Sequence, residues 1–202
     1  KKKAAASGSR NALVGLWKKL ERAYEDVFAG STGTYPDDLS SGRLPFRSAV
    51  DTSDLLPAEY KRFIDSVGYR WLNIPESPHS ALGFLPPHWI QRATMTMGDP
   101  AMKWPDCRKA REDGSYVYHY AMFAAFDVSD INGYCFLREG DGEPSVWLVE
   151  DSLPIEELGS FGRWLKDEAA TLRDRLDEVD TEELERLVED GEVEACEPLD
   201  LG

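Results

Sequence analysis

The chain has 202 residues, of which 42% are hydrophobic and 11% aromatic, so it can bury one substantial core. Lys and Arg number 23 against 38 Asp and Glu, which gives a formal net charge of −15. This charge repels nucleic-acid phosphates and anionic lipid headgroups, so the composition argues against nucleic-acid and membrane-surface proteins and favours a basic partner.

The N-terminal part of the sequence alternates helical patterns with loops. Residues 1–10 are small, polar and basic, and we expect them to form a disordered or non-native tail. Apolar residues recur at spacings of three and four through residues 11–28, which predicts an amphipathic helix. Residues 30–54 are rich in Ser, Thr, Gly, Pro and Asp and predict a long loop, a candidate for binding. A second helix is predicted from Pro57, because proline is tolerated in a first turn.

The middle of the chain carries the predicted strands. Residues 69–74 suit a short strand, and residues 95–113 are predicted to be a loop. Residues 116–126 are aromatic and apolar without any charge, which is typical of a strand covered on both faces. Two further strands are predicted at residues 134–137 and 146–149. Because the connections are short, an antiparallel meander is the expected topology.

Two amphipathic helices are predicted after the meander. Residues 155–165 carry apolar side chains at helical spacing, which predicts a helix that starts directly after Pro154 and packs on the sheet. Asp180 is the predicted N-cap of a last short helix, which ends at Gly191. Residues 165–202 contain 15 acidic and 4 basic residues, a net of −11. Such a run is either a solvated helix face with a solubilising tail or an electrostatic docking surface.

Together these elements predict an α+β domain over residues 11–170, with residues 171–202 as an acidic helical extension. The expected sheet is small, antiparallel or mixed, with about four to six strands packed against several helices. Three cysteines without a C-x-x-C spacing argue against a disulfide framework and fit a reducing compartment. No apolar run approaches the roughly 20 residues that span a bilayer. We therefore expect a cytoplasmic protein.

Several short motifs follow one another in a recognisable order. They are LPAEYKRF at residues 56–63, a pair of strands over residues 123–136 with an Asn-Gly turn between them, the strand at residues 146–149, and SFGRWL at residues 160–165. This order resembles the SMI1/KNR4 (SUKH) superfamily. The resemblance covers about residues 13–168 and rests on the order of the motifs, since each motif is short.

The resemblance implies binding rather than catalysis. Bacterial members of the superfamily are widely used as immunity proteins that neutralise polymorphic toxins, many of them nucleases, and fungal relatives act in cell-wall regulation and signalling. We therefore expect a bacterial immunity protein that occludes the active face of a basic toxin domain, without a cofactor. Opposite charges on the two partners raise the association rate and favour the correct partner. The alternative within the superfamily is an intracellular regulatory scaffold.

The expected contact surface combines acidic residues near sheet and turn edges with a loop tryptophan. Carboxylates suit a basic partner, and tryptophans are frequent interface anchors. The same tryptophans can instead be buried under the long loops. The candidate partner-binding residues are Trp71, Trp89, Asp127, Asp130, Glu150, Asp151 and Glu157.

An enzyme is the remaining alternative from the residues themselves. Cys107 precedes Arg108, which would lower the pKa of its thiol, and His119 would have to act as its base. A third, orienting group is missing from this sequence context. Glu150 and Asp151 are also adjacent carboxylates, although such residues commonly keep a sheet edge soluble. The three histidines lack metal-ligand spacing, so we expect no metal site.

Overall fold

The computed structural model describes residues 2–35, 55–75, 81–87, 89–90, 108–110, 116–118, 120–127, 132–138, 142–151 and 153–191. Within these residues the chain is an α+β protein with four helices and nine strands. The helices are α1 (Lys2–Val27), α2 (Ala58–Val67), α3 (Phe161–Leu176) and α4 (Thr181–Glu189). The strands are β1 (Thr32–Thr34), β2 (Arg70–Leu72), β3 (Leu82–Phe84), β4 (Arg108–Ala110), β5 (Tyr116–Tyr118), β6 (Tyr120–Asp127), β7 (Asn132–Leu137), β8 (Ser145–Glu150) and β9 (Leu153–Gly159).

Seven strands form one open antiparallel sheet in the order β1-β2-β3-β6-β7-β8-β9, while β4 and β5 pair separately. The meander from β6 to β8 confirms the predicted antiparallel topology. The prediction of about four to six strands was too low. The additional strands β1 and β3 have three residues each, which is too short for an alternating pattern to show in the sequence.

Helices α1, α2 and α3 pack on one face of the sheet through an aromatic core. Tyr60 of α2 lies at its centre, with ring centroids 5.2 Å from Phe123, 5.1 Å from Phe136 and 5.4 Å from Phe161. Burying each such ring contributes about 1.5 to 3 kcal/mol, so this layer is the main source of stability. The largest buried side chains of this first cluster are Trp17, Tyr24, Tyr60, Phe63, Phe84, Phe123, Phe136, Phe161 and Trp164.

The opposite face of the sheet is also buried. A second cluster contains alternate residues of the same strands, among them Trp71, Met122, Cys135 and Val149. Residues 120–125 are at most 2% exposed, so β6 is covered on both faces as predicted. Residues 116–118 of the same predicted strand instead form β5, which pairs with β4 in the separate sheet. The central strands are thus held from two sides, which makes the sheet a rigid support for its edges and turns.

The segment before α3 is a strand, whereas the sequence predicted a helix. The register of β9 against β8 leaves Ile155 and Leu158 without partners, so two bulges interrupt the alternation typical of a strand. As a result, the apolar residues Ile155, Leu158 and Phe161 recur at every third position, which in the sequence resembles the spacing of a helix. The helix instead begins at Phe161, after Gly159 with φ +88° and the N-cap Ser160, whose hydroxyl accepts a hydrogen bond from the Arg163 backbone.

Other boundaries also differ from the sequence predictions. α1 begins at Lys2 rather than at residue 11, and β4 lies inside the predicted loop at residues 95–113. Most of the predicted loop at residues 30–54 lies outside the described residues. The predicted N-cap of α4 is confirmed, because the Asp180 carboxylate accepts a hydrogen bond from the backbone N–H of Glu183. No helix within the described stretches is long and apolar enough to cross a bilayer.

The C-terminal helices belong to the core of the domain. The predicted boundary at residue 170 falls inside α3, where Leu172 and Leu176 are buried in the first cluster. Leu184 of α4 joins the same cluster at 5% exposure. Although residues 171–191 are strongly acidic outside, they contribute apolar side chains inside, so the described part of the predicted extension is integral to the fold.

Candidate functional site

The hairpin formed by β8 and β9 carries three of the predicted binding residues. Glu150 ends β8 and Asp151 occupies the turn with φ 49°, a left-handed conformation that aspartate tolerates better than most residues. The backbone N–H of Asp151 donates a hydrogen bond of 2.7 Å to Oδ1 of Asn132 at the start of β7. The turn is therefore held against the neighbouring strand, with the Glu150 and Asp151 side chains exposed.

The strand register brings several candidate positions to one end of the sheet. Asp127 at the end of β6 is paired with Asn132, and Glu150 at the end of β8 is paired with Leu153. The backbone positions of Asp127, Glu150 and Asp151 thus share this end. Asp130 lies outside the described residues, so its predicted role stays a prediction.

Glu157 lies further along the edge strand. It is exposed and directly opposite Trp147 of β8, whose half-buried ring belongs to the second face of the sheet. Glu156 precedes it, pairs with Leu148 and is also exposed. The two carboxylates therefore lie on opposite faces of β9, at the border of the sheet.

Trp71, one of the two candidate tryptophans, lies far from this hairpin in the sheet order. Trp71 is in β2, which β3, β6 and β7 separate from β8. Its side chain is only 6% exposed, and its ring covers Gly33 of β1 so closely that a Cβ there would collide with it. Trp89 is half-buried against the same cluster. In this structure Trp71 is a core residue. Its indole ring packs in the second cluster and fills the space above Gly33, which has no side chain.

The charge of the hairpin is entirely negative. Residues 142–160 contain five carboxylates and no Lys or Arg, and all five carboxylates are exposed. Two of them, Glu143 and Glu156, were not among the predicted binding residues. Both could have been found from the sequence, because residues 142–160 contain no basic residue. Ile155, 51% exposed, adds an apolar side chain beside these charges.

A second acidic surface surrounds the corner between α3 and α4. Residues 174–191 contain nine acidic residues, all exposed, and two arginines. Arg186 pairs with Glu183 and Asp190 of its own helix, and its hydrogen bonds hold the pKa of Glu183 below the ordinary value. Because the helix supplies its own counter-charge here, part of this acidity is already compensated within α4.

The groups considered for catalysis are mostly outside the described residues, including Cys107 and His119. Cys135 is fully buried in β7 and is a core residue. Among the residues that the structure describes, no cluster of His, Cys, Asp or Glu is arranged to hold a metal ion. The cysteine-dependent enzyme therefore stays an untested alternative.

Comparisons with known proteins give no assignment. Neither the protein-family models, nor the curated proteins, nor the solved structures contain a match to this chain.

Proposed function

We propose that this protein is a binding module that recognises a basic protein through its acidic β8–β9 hairpin. The observation that carries the proposal is the set of five exposed carboxylates, without a basic residue, on β8, β9 and the residues directly beside them. A surface of this kind attracts positive partners over a distance and repels negative ones, so it favours both fast association and discrimination.

We further propose that the partner is a toxin domain and that the protein acts as an immunity protein of the SMI1/KNR4 kind. The order of the sequence motifs supports this proposal. A toxin that cleaves nucleic acid needs a basic face to bind phosphates, and an acidic protein placed on that face blocks access to it. The mechanism requires no bond-making by the protein itself, because occlusion of the substrate site is sufficient.

The proposed contact surface differs from the one expected from sequence. It keeps Glu150, Asp151 and Glu157, adds Glu143 and Glu156, and omits Trp71 because that side chain is buried. Asp127 remains a candidate by its position at the same sheet end. Ile155 replaces the tryptophan as the exposed apolar contact.

The test of function uses the genes that flank the coding sequence. Each flanking product is expressed in bacterial cells with and without this protein, and growth is recorded. An immunity protein restores growth to cells that make its toxin, and the purified pair forms a stable complex. If the flanking genes encode a toxin domain and this protein neither binds it nor restores growth, the immunity function is wrong.

A regulatory scaffold is the second candidate, favoured by the separate acidic corner between α3 and α4. A scaffold uses distinct surfaces for distinct partners, and this corner is removed from the hairpin in the chain and belongs to another layer of the fold. In that case Glu182→Lys with Glu185→Lys on α4 abolishes one interaction and leaves another intact. An immunity protein with a single partner at the hairpin is insensitive to the same substitutions.

A further inference from the structure

The two edge strands of the sheet, β1 and β9, differ in how their outer backbone groups are protected. At the β1 edge, the carboxylate of Glu25 from α1 accepts hydrogen bonds from the Thr32 backbone N–H at 3.2 Å, the Thr32 hydroxyl at 2.7 Å and the Gly30 N–H at 3.1 Å. The Thr32 N–H is thus bonded to a side chain of α1 rather than to a strand. An additional strand at this edge would have to displace the carboxylate.

Among the described residues, no side chain bonds to the outer backbone groups of β9 in the way that Glu25 bonds to the Thr32 N–H. β9 is the last strand in the sheet order and pairs there with β8 alone. Its side chains at Ile155, Glu156 and Glu157 are exposed. An edge strand presents backbone N–H and C=O groups that can bind another extended chain, so natural proteins protect such edges or use them.

The charges of β9 select what can be added to it. A second copy of this chain would bring Glu156 and Glu157 close to the same residues of its partner, and like charges across neighbouring strands are destabilising. An extended segment with two consecutive Lys or Arg residues would instead pair one opposite charge with each carboxylate, because neighbouring residues of a strand also point to opposite faces. The hairpin contains no basic residue that would compete for them.

The bulges of β9 limit the length of the added segment. Ile155 and Leu158 lack partners on β8, so the strand bends at two places and is regular only around Glu156 and Glu157. Leu158 is directed to the first cluster, whereas Ile155 is exposed. A guest segment with two consecutive basic residues and an apolar neighbour would therefore neutralise both glutamates, one on each face, and cover Ile155.

We propose that a short, extended, basic segment of the partner protein adds to β9 as an eighth strand. This inference rests on the proposed binding function and specifies how the partner is recognised: backbone hydrogen bonds supply the affinity, and two consecutive Lys or Arg residues, one for each glutamate, supply the specificity. The hairpin carboxylates at Glu150 and Asp151 extend the same negative edge beyond the strand.

The test uses a short synthetic Val-rich peptide with a central Lys-Lys pair, and a peptide of equal length with Glu-Glu at the same positions is the control. The full chain is titrated with each labelled peptide at low salt, and backbone hydrogen exchange is measured in the bound state. We expect the Lys peptide alone to bind and to slow amide exchange within residues 153–159. If exchange slows instead around the α3–α4 corner, or not at all in β9, the inference is wrong.

Matched charge variants separate edge recognition from general attraction. Glu156→Lys with Glu157→Lys is expected to weaken peptide binding by about tenfold or more, because two attractive contacts become repulsive. Glu182→Lys with Glu185→Lys makes the same change in net charge on exposed positions of α4 and is expected to alter binding by less than about twofold. Equal losses in both variants would overturn the inference. Thermal unfolding checks that both variants fold.

The cognate toxin distinguishes failure of this inference from failure of the function. If the protein neutralises its toxin and the Glu156→Lys, Glu157→Lys variant binds that toxin unchanged, the edge mechanism is wrong and the binding function stands. If no toxin is neutralised while the peptide still adds to β9, the immunity function is wrong and the edge remains a binding site.

Discussion

Glu59 in the first turn of α2 accepts a hydrogen bond of 3.2 Å from the backbone N–H of Gly162 in the first turn of α3, 103 residues later in the chain. The first N–H groups of a helix have no partner within it, so this carboxylate caps a helix other than its own. A Cβ at position 162 would lie 3.0 Å from Glu59 Oε1, which explains the glycine there. The contact joins the two helices that begin with the LPAEYKRF and SFGRWL motifs.

Removing this cap is expected to destabilise the fold. Glu59→Ala leaves the Gly162 N–H without its carboxylate partner and should lower the free energy of unfolding by about 0.5 to 2 kcal/mol. Denaturant unfolding measures the change. Glu185→Ala, an exposed position on α4, is the control and should change stability by less than about 0.5 kcal/mol. Equal stability of the Glu59 variant and the wild type would show that the cap contributes nothing.

The acidic C-terminal region is expected to be essential for stability. Leu172→Ala removes a fully buried side chain from the first cluster and should cost about 2 to 5 kcal/mol. Val188→Ala on α4 is the matched control, since Val188 is 46% exposed, and its cost should stay below about 0.5 kcal/mol. Urea unfolding monitored by tryptophan fluorescence gives both values. A small effect at Leu172 would mean that residues after 170 form a detachable extension.

The contact between Trp71 and Gly33 predicts a steric limit at the β1 edge. A side chain at position 33 would overlap the indole ring of Trp71, so Gly33→Ala must displace that ring or the edge strand. We expect a loss of about 1 to 3 kcal/mol in stability and a red shift of tryptophan emission as Trp71 becomes hydrated. Thr34→Ser, on the same strand, lacks this overlap, keeps the hydroxyl that accepts a hydrogen bond from Arg70, and serves as the control. An unchanged emission spectrum in Gly33→Ala would contradict the burial of Trp71.

The pH dependence of stability should show the contribution of the hydrogen bonds that the Glu25 carboxylate accepts at the β1 edge. Burial raises the pKa of Glu25, but hydrogen bonds from Gly30 and Thr32 outweigh it and hold the pKa below its ordinary value of 4.5. Because the folded-state pKa is lowered, the stabilisation is complete above pH 4.5 and is lost as the pH falls through the folded-state value. Glu25 is exposed, so we expect Glu25→Gln to cost less than about 1 kcal/mol at neutral pH.

The same carboxyl group can be titrated directly. NMR titration of the Glu25 side chain should give an inflection below pH 4.5 in the wild type. Thr32→Val removes the hydroxyl donor and should move that inflection upward. The stability advantage of the wild type over Glu25→Gln should shrink as the pH falls, because Glu25 becomes protonated. An advantage that grows on acidification would contradict the hydrogen bonds of Glu25 at the β1 edge.

The parts of the fold that the sequence predicts correctly are those with strong local signals. Pro57 and Asp180 mark helix starts by their own chemistry, and the uncharged residues 120–125 form a strand buried on both faces. β1 and β3 depend on tertiary pairing, because three residues carry no readable period. β9 was mistaken for a helix, since its bulges at Ile155 and Leu158 replaced alternation with a spacing of three.

The candidate site could be predicted only in part for related reasons. Glu150 and Asp151 follow a recognisable strand, so their position at a sheet edge was foreseeable. The edge position of Glu156 and Glu157 becomes visible only when β9 pairs with β8, because the sequence predicts a helix for this segment. The burial of Trp71 depends on Gly33, 38 positions away in the sequence, and no local pattern reveals that contact.

The central claim is that the acidic β8–β9 hairpin binds a basic protein. Its most direct test is calorimetric titration of the partner protein found by the growth test with the wild type, with Glu150→Lys plus Asp151→Lys, and with Glu182→Lys plus Glu185→Lys. The account predicts tight binding by the wild type and the α4 variant, and a loss of about tenfold or more for the hairpin variant. Unchanged affinity of the hairpin variant would contradict it.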